Sequence, residues 1–348
     1  MFRVFQGETA DDVFRKVSTA LLRGPKEATQ TSRLGPTKEI LHACLSITDS
    51  RQRWIATRRP AMNPAFALAE IVWILNGRND SAFLNFFNSR LPEYAGRGPT
   101  YHGAYGHRLR TPGSLDQLRR ASAALRARPD TRQVVLQIWN SRLDLPRRDG
   151  APVAKDIPCN ICSMLKVREG VLEWMQIIRS NDVFLGLPHN IVQFTTLQEV
   201  IAGWIGVKPG AYHQLSDSLH AYVQDLRSLQ GGPKVTHRCR NEDALALPER
   251  ESLRVFRELA RRVDKLTTGL LKERSLRRLA EWPTVPLGYQ NMVRVLVAEA
   301  ARRRPLQTVA DDIMTDCSNP VYVALWNNWL ARLRRGKPAS GRCGDGEG

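Results

Sequence analysis

The strongest constraint on the fold is a β-rich stretch in the middle of the chain, which lies between segments with helical patterns. Val, Ile, Leu and Trp favour strands, and they dominate three runs: residues 134–139 (VVLQIW), 161–170 (ICSMLKVREG) and 171–180 (VLEWMQIIRS). Glu169-Gly170 predicts a hairpin turn between the last two runs. Residues 39–49 predict one further strand.

Helical patterns surround these strands. We expect helices over residues 9–23, 64–76, 114–127 and 190–204. Thr9 can cap the first helix, and the second begins at Pro64 and is followed by Gly77. Residues 24–38 are rich in Gly, Pro and Thr and predict a loop, and the pattern after about residue 250 is helical.

The predicted elements divide the chain into four parts. The division gives an N-terminal helical segment (1–30), a core that holds the candidate functional residues (31–248), a helical region (249–335) and a disordered tail (336–348). A hydrophobic fraction of 42% over 348 residues supports a sizeable core and excludes disorder of the whole chain. Trp73, Trp139 and Trp174 are predicted to be core residues.

The net charge of +18 has two readings, an anionic partner or a solvated arginine-rich surface, and charge alone does not select a function. No run reaches the ~18 apolar residues that would span a bilayer, and the N-terminus does not resemble a signal peptide. We therefore expect a cytoplasmic protein with six reduced cysteines, no membrane association, no metal and no nucleic-acid partner.

Cys159 and Glu70 are the residues whose types and positions point most directly to chemistry. Cys159 follows a proline at the mouth of a predicted strand, where a thiol can be rigid and partly exposed, and a nearby arginine would favour its thiolate. Glu70 lies among apolar residues of the helix 64–76. A carboxylate in such surroundings is costly unless it is paired or used, so it is a candidate for proton transfer.

Several motifs together resemble the thymidylate synthase family: DIPC (156–159), RSNDVFLGLPHN (179–190), RPDTRQVVLQIWN (128–140) and FALAEIVWILNG (66–77). The resemblance covers roughly residues 30–225. It implies an α/β (α+β) fold with a mixed sheet flanked by helices. It also implies a transferase that uses 5,10-methylenetetrahydrofolate to modify a pyrimidine nucleoside 5′-monophosphate.

The resemblance assigns roles residue by residue. Cys159 resembles the nucleophile that adds to C6 of the pyrimidine, Glu70 the glutamate that relays protons, and Tyr105 the tyrosine near the thiol. The remaining matched positions bind ligands: Arg33, Arg179 and Ser180 the phosphate, Asn190 the pyrimidine edge, His220 and Tyr222 the sugar, and Asp182 and Gly186 the folate. Arg132 resembles an arginine that reaches the phosphate of the other subunit, which implies a homodimer.

The chain also departs from the family pattern. Gln133 replaces a phosphate arginine, Asn160 replaces the histidine after the cysteine, and Leu219 is an extra residue in the sugar motif. Residues 91–95 (LPEYA) stand where the family carries a tryptophan pair near the folate, and the usual C-terminal lid is not recognisable. We assign no role to His189.

These departures favour one outcome of the reaction. Without aromatic walls and a lid, water can add to the exocyclic methylene that follows one-carbon transfer, which gives a 5-hydroxymethyl nucleotide. Asn190 favours uracil over cytosine, so the preferred prediction is hydroxymethylation of UMP or dUMP. The alternatives are reductive methylation of dUMP to dTMP, hydroxymethylation of CMP or dCMP, and a catalytically silent relative that binds nucleotide or nucleic acid.

Overall fold

The computed structural model describes residues 2–24, 29–32, 35–110, 115–230 and 239–335. Its described part is built on a seven-stranded mixed sheet with the order β1-β3-β7-β6-β5-β4, and β2 pairs with β3. The strands are β1 (Arg3–Gly7), β2 (Thr29–Gln30), β3 (Thr37–Ile47), β4 (Val135–Gln137), β5 (Asn160–Arg168), β6 (Val171–Asp182) and β7 (Lys208–Tyr222). Helices flank this sheet, so the expected α/β class with a mixed sheet is confirmed.

Helices account for most of the remaining described residues. Before β7 they are α1 (Ala10–Arg23), α2 (Pro64–Leu75), α3 (Ser81–Asn85), α4 (Leu91–Ala95), α5 (Tyr105–Leu109), α6 (Gln117–Ala127), α7 (Ser141–Asp144) and α8 (Gly186–Ile205). A 3-10 helix (Val223–Gln230) follows β7, and then come α9 (Glu249–Thr268), α10 (Glu273–Ala280), α11 (Leu287–Arg303), α12 (Gln307–Thr315) and α13 (Pro320–Arg335). No described helix has both the length and the apolar character needed to cross a membrane.

The parallel pairing of β6 with β7 fixes where functional residues can meet. Parallel neighbours need a crossover connection, and α8 provides it. Both strands therefore end at the same edge of the sheet, where the last residues of β6 and β7 meet the first turn of α8. In open sheets with parallel strands, ligands bind at this carboxyl-terminal edge.

Helix α8 is buried along almost its whole length, between the sheet and helices that include α2, α6 and α9. A buried ion pair fixes its position, because the Arg53 guanidinium bonds to Glu199 and also donates to Thr196 Oγ1 at 2.8 Å. The second Glu199 oxygen accepts a bond from the Leu245 backbone N–H at 2.8 Å. Glu199 therefore ties α8 to the segment before α2 and to the segment before α9.

Most of the predicted elements are present with small shifts at their ends. Helix α1 begins after Thr9, which caps it, and the predicted helices 64–76 and 190–204 correspond to α2 and α8. The predicted hairpin joins β5 to β6, and Glu169 and Gly170 have φ values of 50° and 75°. The tail 336–348 and the start of the helix predicted from residue 114 lie outside the described residues.

Two predictions about strands were wrong or incomplete. Residues 24–38 do not form only a loop, because β2 and the start of β3 lie within this range. Sequence analysis also missed β1, so the N-terminal segment is not purely helical, and it missed β7. The residues of β7 are mixed in polarity, but the strand pairs with β3 on one side and β6 on the other. Backbone pairing on both sides outweighs the weak local propensity.

The contact between α5 and α2 generates a stability prediction. A Cβ at Gly106 would lie 2.5 Å from the Ile74 Cα and closer still to the Ile74 carbonyl oxygen. Gly106→Ala should therefore lower the free energy of unfolding by about 1–3 kcal/mol in urea titrations, since backbone must move. Gly98→Ala is the control, because its nearest contact would be 3.5 Å away, and its effect should stay within about 0.5 kcal/mol. Equal stability of the two variants would contradict this account of the packing.

Candidate active site

Cys159 lies directly before β5, at the end of a loop that one arginine holds. The Arg179 backbone N–H donates to the Cys159 carbonyl oxygen at 2.9 Å. The Arg179 guanidinium donates from Nε to Pro158 O at 3.0 Å and from Nη2 to Ile157 O at 3.1 Å. These bonds fix the backbone on the N-terminal side of a half-buried thiol. Arg179, predicted to bind phosphate, thus also positions the cysteine loop.

Tyr105, the first residue of α5, shares its surroundings with both predicted catalytic groups. Burial raises the pKa of the Tyr105 hydroxyl, and the ionisable groups of Cys159, Asp156 and Glu70 raise it further. A hydrogen bond with Asn160 acts in the opposite direction on this pKa. Tyr105 therefore stays protonated and can donate a hydrogen bond at neutral pH. The fold brings Cys159, Tyr105 and Glu70 into one neighbourhood, while their catalytic roles remain predictions.

Glu70 pairs with His189, a residue that sequence analysis left without a role. The His189 Nδ1 and Glu70 Oε2 atoms are 2.5 Å apart, and the two side chains are only 19% and 15% exposed. The His189 ring also packs against Phe66, with ring centroids 5.1 Å apart. The partners lie on α8 and α2, far apart in the sequence, so no local pattern could have identified the pair. The contact fixes the orientation of the Glu70 carboxylate.

Asn190 is 6% exposed, and both ends of its amide already take part in hydrogen bonds. Its Oδ1 accepts from Asn160 Nδ2, and its Nδ2 donates to Asn181 Oδ1, each at 3.2 Å. An amide oxygen can accept two bonds and an amide NH₂ can donate two. Asn190 therefore retains one acceptor site and one donor, which is the equipment needed to bind the edge of a pyrimidine.

The predicted folate residues lie beside this amide. The Asp182 Oδ1 accepts from the backbone N–H groups of Phe184 at 2.7 Å and Leu185 at 3.0 Å. Burial raises the pKa of Asp182, although these hydrogen bonds and the charges of neighbouring groups lower it in part. Gly186 begins α8, and a Cβ there would lie 3.3 Å from Asn181 Oδ1 and 3.7 Å from Asn190 Nδ2.

The predicted sugar residues reach the same edge from β7. His220 pairs with Asp182 across β6 and β7, and its ring meets that of Tyr222 edge-on at 5.8 Å. Ser180, predicted to bind phosphate, pairs with Ser218 in the same register. Leu219, the extra residue of the motif, is fully buried between these positions.

Of the remaining predicted phosphate ligands, one lies away from this arrangement and one lies outside the described residues. Arg132 is exposed in the approach to β4, which is the edge strand farthest from β1. Arg33 lies outside the described residues. Gln133 is exposed next to Arg132. The contribution of Arg132 to a phosphate site in another subunit stays a prediction.

The helical C-terminal region contacts the loop before α2, which in turn contacts Phe184. Arg332 of α13 donates to the Ala61 carbonyl oxygen at 2.6 Å. Arg58 lies over the Phe184 ring, 4.1 Å from its centroid, and donates to Phe184 O at 2.8 Å. Burial, together with the charge of Arg332, lowers the pKa of Arg58 to about 10. The region after residue 249 thus packs against the loop that precedes α2, which sequence analysis did not anticipate. Arg58 of that loop in turn contacts Phe184.

Comparisons with known proteins bear on the family of this chain. The thymidylate synthase family model matches residues 17–262. The deoxyuridylate hydroxymethyltransferase of Bacillus phage SP01 is 34% identical over 244 residues, which is 67% of this chain and 61% of that protein. The deoxyuridylate hydroxymethyltransferase of Pseudomonas phage M6 is 38% identical over 169 residues, 48% of this chain and 47% of that protein.

A thymidylate synthase is more distantly similar. The enzyme of Clostridium beijerinckii is 28% identical over 166 residues, which is 47% of this chain and 59% of that protein. The chain thus spans between about half and three fifths of the length of the curated relatives it matches.

The half-buried Asp182 generates a prediction about pH and stability. Its pKa is higher in the folded protein than in the unfolded chain, so folding stability should fall as pH rises from about 4 through the raised folded value. Asp182→Asn keeps an oxygen for the Phe184 and Leu185 N–H groups but carries no charge. The variant should therefore gain stability relative to the wild type as pH increases from 4 to 7 in a series of urea titrations.

The exposed Asp130 offers a matched control for this comparison. Asp130→Asn should follow the wild-type curve of unfolding free energy against pH. A stability difference between Asp182→Asn and the wild type that does not grow with pH would show that burial of the Asp182 charge is not costly.

Proposed function

This chain belongs to the thymidylate synthase family, and we propose that it hydroxymethylates C5 of a uridylate, UMP or dUMP. The observation that carries the proposal is the convergence of Cys159, Tyr105, Glu70 and Asn190 around one edge of the sheet. Two relatives at 34% and 38% identity are named as deoxyuridylate hydroxymethyltransferases, which supports this product over a methyl group.

The Cys159 thiolate begins the reaction by adding to C6 of the pyrimidine, and the electron pair of the C5–C6 double bond moves towards C5 and O4. Asn190 holds the base edge, and its donor can stabilise the charge that develops on O4. Arg179 keeps the cysteine loop in place during this addition. C5 then attacks a one-carbon electrophile and loses its proton, and departure of the carrier amine leaves an exocyclic methylene on C5. After water has added to this methylene, the Cys159–C6 bond breaks, the C5–C6 double bond forms again and the thiolate is released.

The one-carbon donor that we propose is 5,10-methylenetetrahydrofolate, which supplies an electrophilic carbon at the oxidation level of formaldehyde. The surroundings of Asp182 suit such a group. Both backbone N–H donors bind Oδ1 of Asp182, and Oδ2 can accept from the N–H groups of a pterin. Gly186 presents no side chain towards Asn181 and Asn190, which keeps the adjacent space narrow but open.

Water supplies the final oxygen in this proposal. In this proposal Glu70, which His189 orients, accepts a proton from the water that adds to the exocyclic methylene of the nucleotide. Helix α4 has no fully buried residue, and its Tyr94 hydroxyl accepts a bond from Arg90 Nη2 at 3.1 Å. This half-exposed segment stands where the family carries tryptophans. It therefore favours access of water over its exclusion.

Reductive methylation of dUMP is the second candidate function. The similarity to the thymidylate synthase of Clostridium beijerinckii favours it, since both reactions share every step up to the methylene. Hydroxymethylation of CMP or dCMP and nucleotide binding without catalysis are weaker candidates.

Release of tritium from C5-tritiated nucleotides tests the proposal. With methylenetetrahydrofolate present, the wild type should release tritium from UMP or dUMP, because attack at C6 makes the C5 hydrogen labile. Cys159→Ser should reduce release by at least ~10³-fold, whereas Cys239→Ser should retain it. The neighbour of Cys239, Arg240, bonds to Glu8 and Asp49, which follow strands β1 and β3 at the side of the sheet away from β5. Mass spectrometry should then find a hydroxymethyl product. No release from UMP, dUMP, CMP or dCMP would rule out catalysis, and a methyl product would support the second candidate.

We also propose a homodimer, on the basis of the sheet face that lies opposite α8. Two rows of neighbouring side chains cross the sheet on this face. The first row is Val4, Cys44, Leu215, Ile177 and Cys162, and the second is Ser46, His213, Met175, Met164 and Val135. All of them are half-buried or exposed, although most are apolar. A second copy of the chain would bury this face, and Arg132 at its border can then reach the partner's site.

Met175 lies near the centre of this face and generates a test of the dimer. Met175→Lys should shift the protein from dimer to monomer in sedimentation velocity, since a buried unpaired ammonium is costly. Leu143→Lys changes an apolar residue that is 49% exposed on α7, and it should leave the sedimentation coefficient unchanged. A wild type that sediments as a monomer at micromolar concentration would contradict the proposed dimer.

A further inference from the structure

We propose that a one-way chain of hydrogen bonds from Trp174 to Asn190 determines which pyrimidine base the site accepts. The chain of bonds runs along the buried face of β6 and β5 to the start of α8. The inference rests on the proposed function, in which Asn190 binds the base edge. It assigns a role in specificity to Trp174, Gln176 and Asn160, which do not need to contact the substrate.

Trp174 is the fixed end of this chain. Its indole Nε1 donates to Gln176 Oε1 at 3.2 Å, and the Ser163 hydroxyl donates to the same oxygen at 2.6 Å. An indole N–H can donate a hydrogen bond but cannot accept one. The Gln176 oxygen must therefore face Trp174, and the Gln176 NH₂ group must point the other way.

The orientation of Gln176 passes to each following amide. Gln176 Nε2 donates to Asn160 Oδ1 at 2.9 Å, and Asn160 Nδ2 donates to Asn190 Oδ1 at 3.2 Å. Asn190 Nδ2 then donates to Asn181 Oδ1 at 3.2 Å. Turning any one amide by 180° would place two donors or two acceptors against each other. These side chains are at most 6% exposed, so water cannot compensate for the mismatch.

The direction of the chain matters because uracil and cytosine need opposite orientations of the same amide. Uracil presents an N–H donor at N3 beside the O4 acceptor, whereas cytosine presents an acceptor at N3 beside an amino donor at C4. A freely turning asparagine could pair with either base. Asn190 has one donor and one acceptor left in a fixed order, so it can pair well with only one of them.

A purely structural role for the same residues makes a different prediction. If the amides only satisfied one another inside the core, breaking the hydrogen-bond chain would lower stability and weaken the binding of both nucleotides equally. If the chain fixes Asn190, breaking it should change the ratio of the two affinities. The ratio therefore separates the two roles.

The experiment compares the binding of dUMP and dCMP to the wild type and to Trp174→Phe by titration calorimetry. Phenylalanine keeps an aromatic ring beside Phe194 but removes the fixed donor. The preference between the two nucleotides should fall by about tenfold, the size expected for one misplaced buried hydrogen bond. Trp204→Phe is the matched control, because the buried Trp204 Nε1 has no hydrogen-bond partner within the described residues, and it should keep the wild-type ratio.

Each outcome bears on the proposal. A reduced ratio in Trp174→Phe alone supports it, and an unchanged ratio in a folded variant that binds nucleotide overturns it. If Trp174→Phe does not fold, Gln176→Met interrupts the chain at the next residue and should reduce the ratio in the same way. A wild type that prefers dCMP would contradict the proposed uracil substrate. Loss of that preference in Trp174→Phe would still support the proposed role of the hydrogen-bond chain. A wild type that binds neither nucleotide would overturn both proposals.

Discussion

The burial of α8 between the sheet and a layer of helices is the constraint on which the rest of the structure depends. Few polar side chains of this helix reach solvent, so most of them pair within the protein, although Gln193 Oε1, Gln198 Oε1 and Trp204 Nε1 have no partner among the described residues. Glu199 pairs with Arg53, and the Gln198 NH₂ group donates to the carbonyl oxygens of Leu172, Gly210 and Ala211. These contacts join α8 to the segment before α2, to β6 and to β7. The requirement that buried polar groups be satisfied thus also holds the first turn of α8, with His189 and Asn190, in place against the candidate site.

The sheet divides its two faces between different tasks. The face beneath α8 carries the buried amides of Gln176 and Asn160, and its border leads to Cys159. The opposite face carries side chains such as Met164, Met175 and Ile177, which alternate with the buried residues along β5 and β6 and remain partly exposed. This alternation follows from the period of two in a strand. A dimer built on the second face would leave the first face, and the helices that cover it, free to shape the site.

The sequence was sufficient to predict those features that depend on local pattern. The capped helix α1, the apolar helix α2 and the hairpin between β5 and β6 all follow from composition, periodicity and turn residues. Features that depend on long-range pairing could not be predicted from such patterns. Strand β7 forms because its backbone pairs with β3 on one side and with β6 on the other. The contact of His189 with Glu70 joins two helices that are far apart in the sequence. Trp174 was predicted correctly as a core residue, but its hydrophobicity did not indicate that its indole N–H donates a hydrogen bond to Gln176.

Asn160 shows why a departure from a family pattern has to be interpreted together with its neighbours. In the sequence it stands as an isolated replacement of a histidine next to Cys159. In the structure it contacts Tyr105, accepts a bond from Gln176 and donates one to Asn190. An amide at this position needs a donor on one side and an acceptor on the other. An apolar residue in place of Gln176 would remove the donor to Asn160 Oδ1, and an apolar residue in place of Trp174 would remove the donor that fixes the orientation of Gln176. The three residues therefore form one unit, and relatives that differ at one of them are expected to differ at the others.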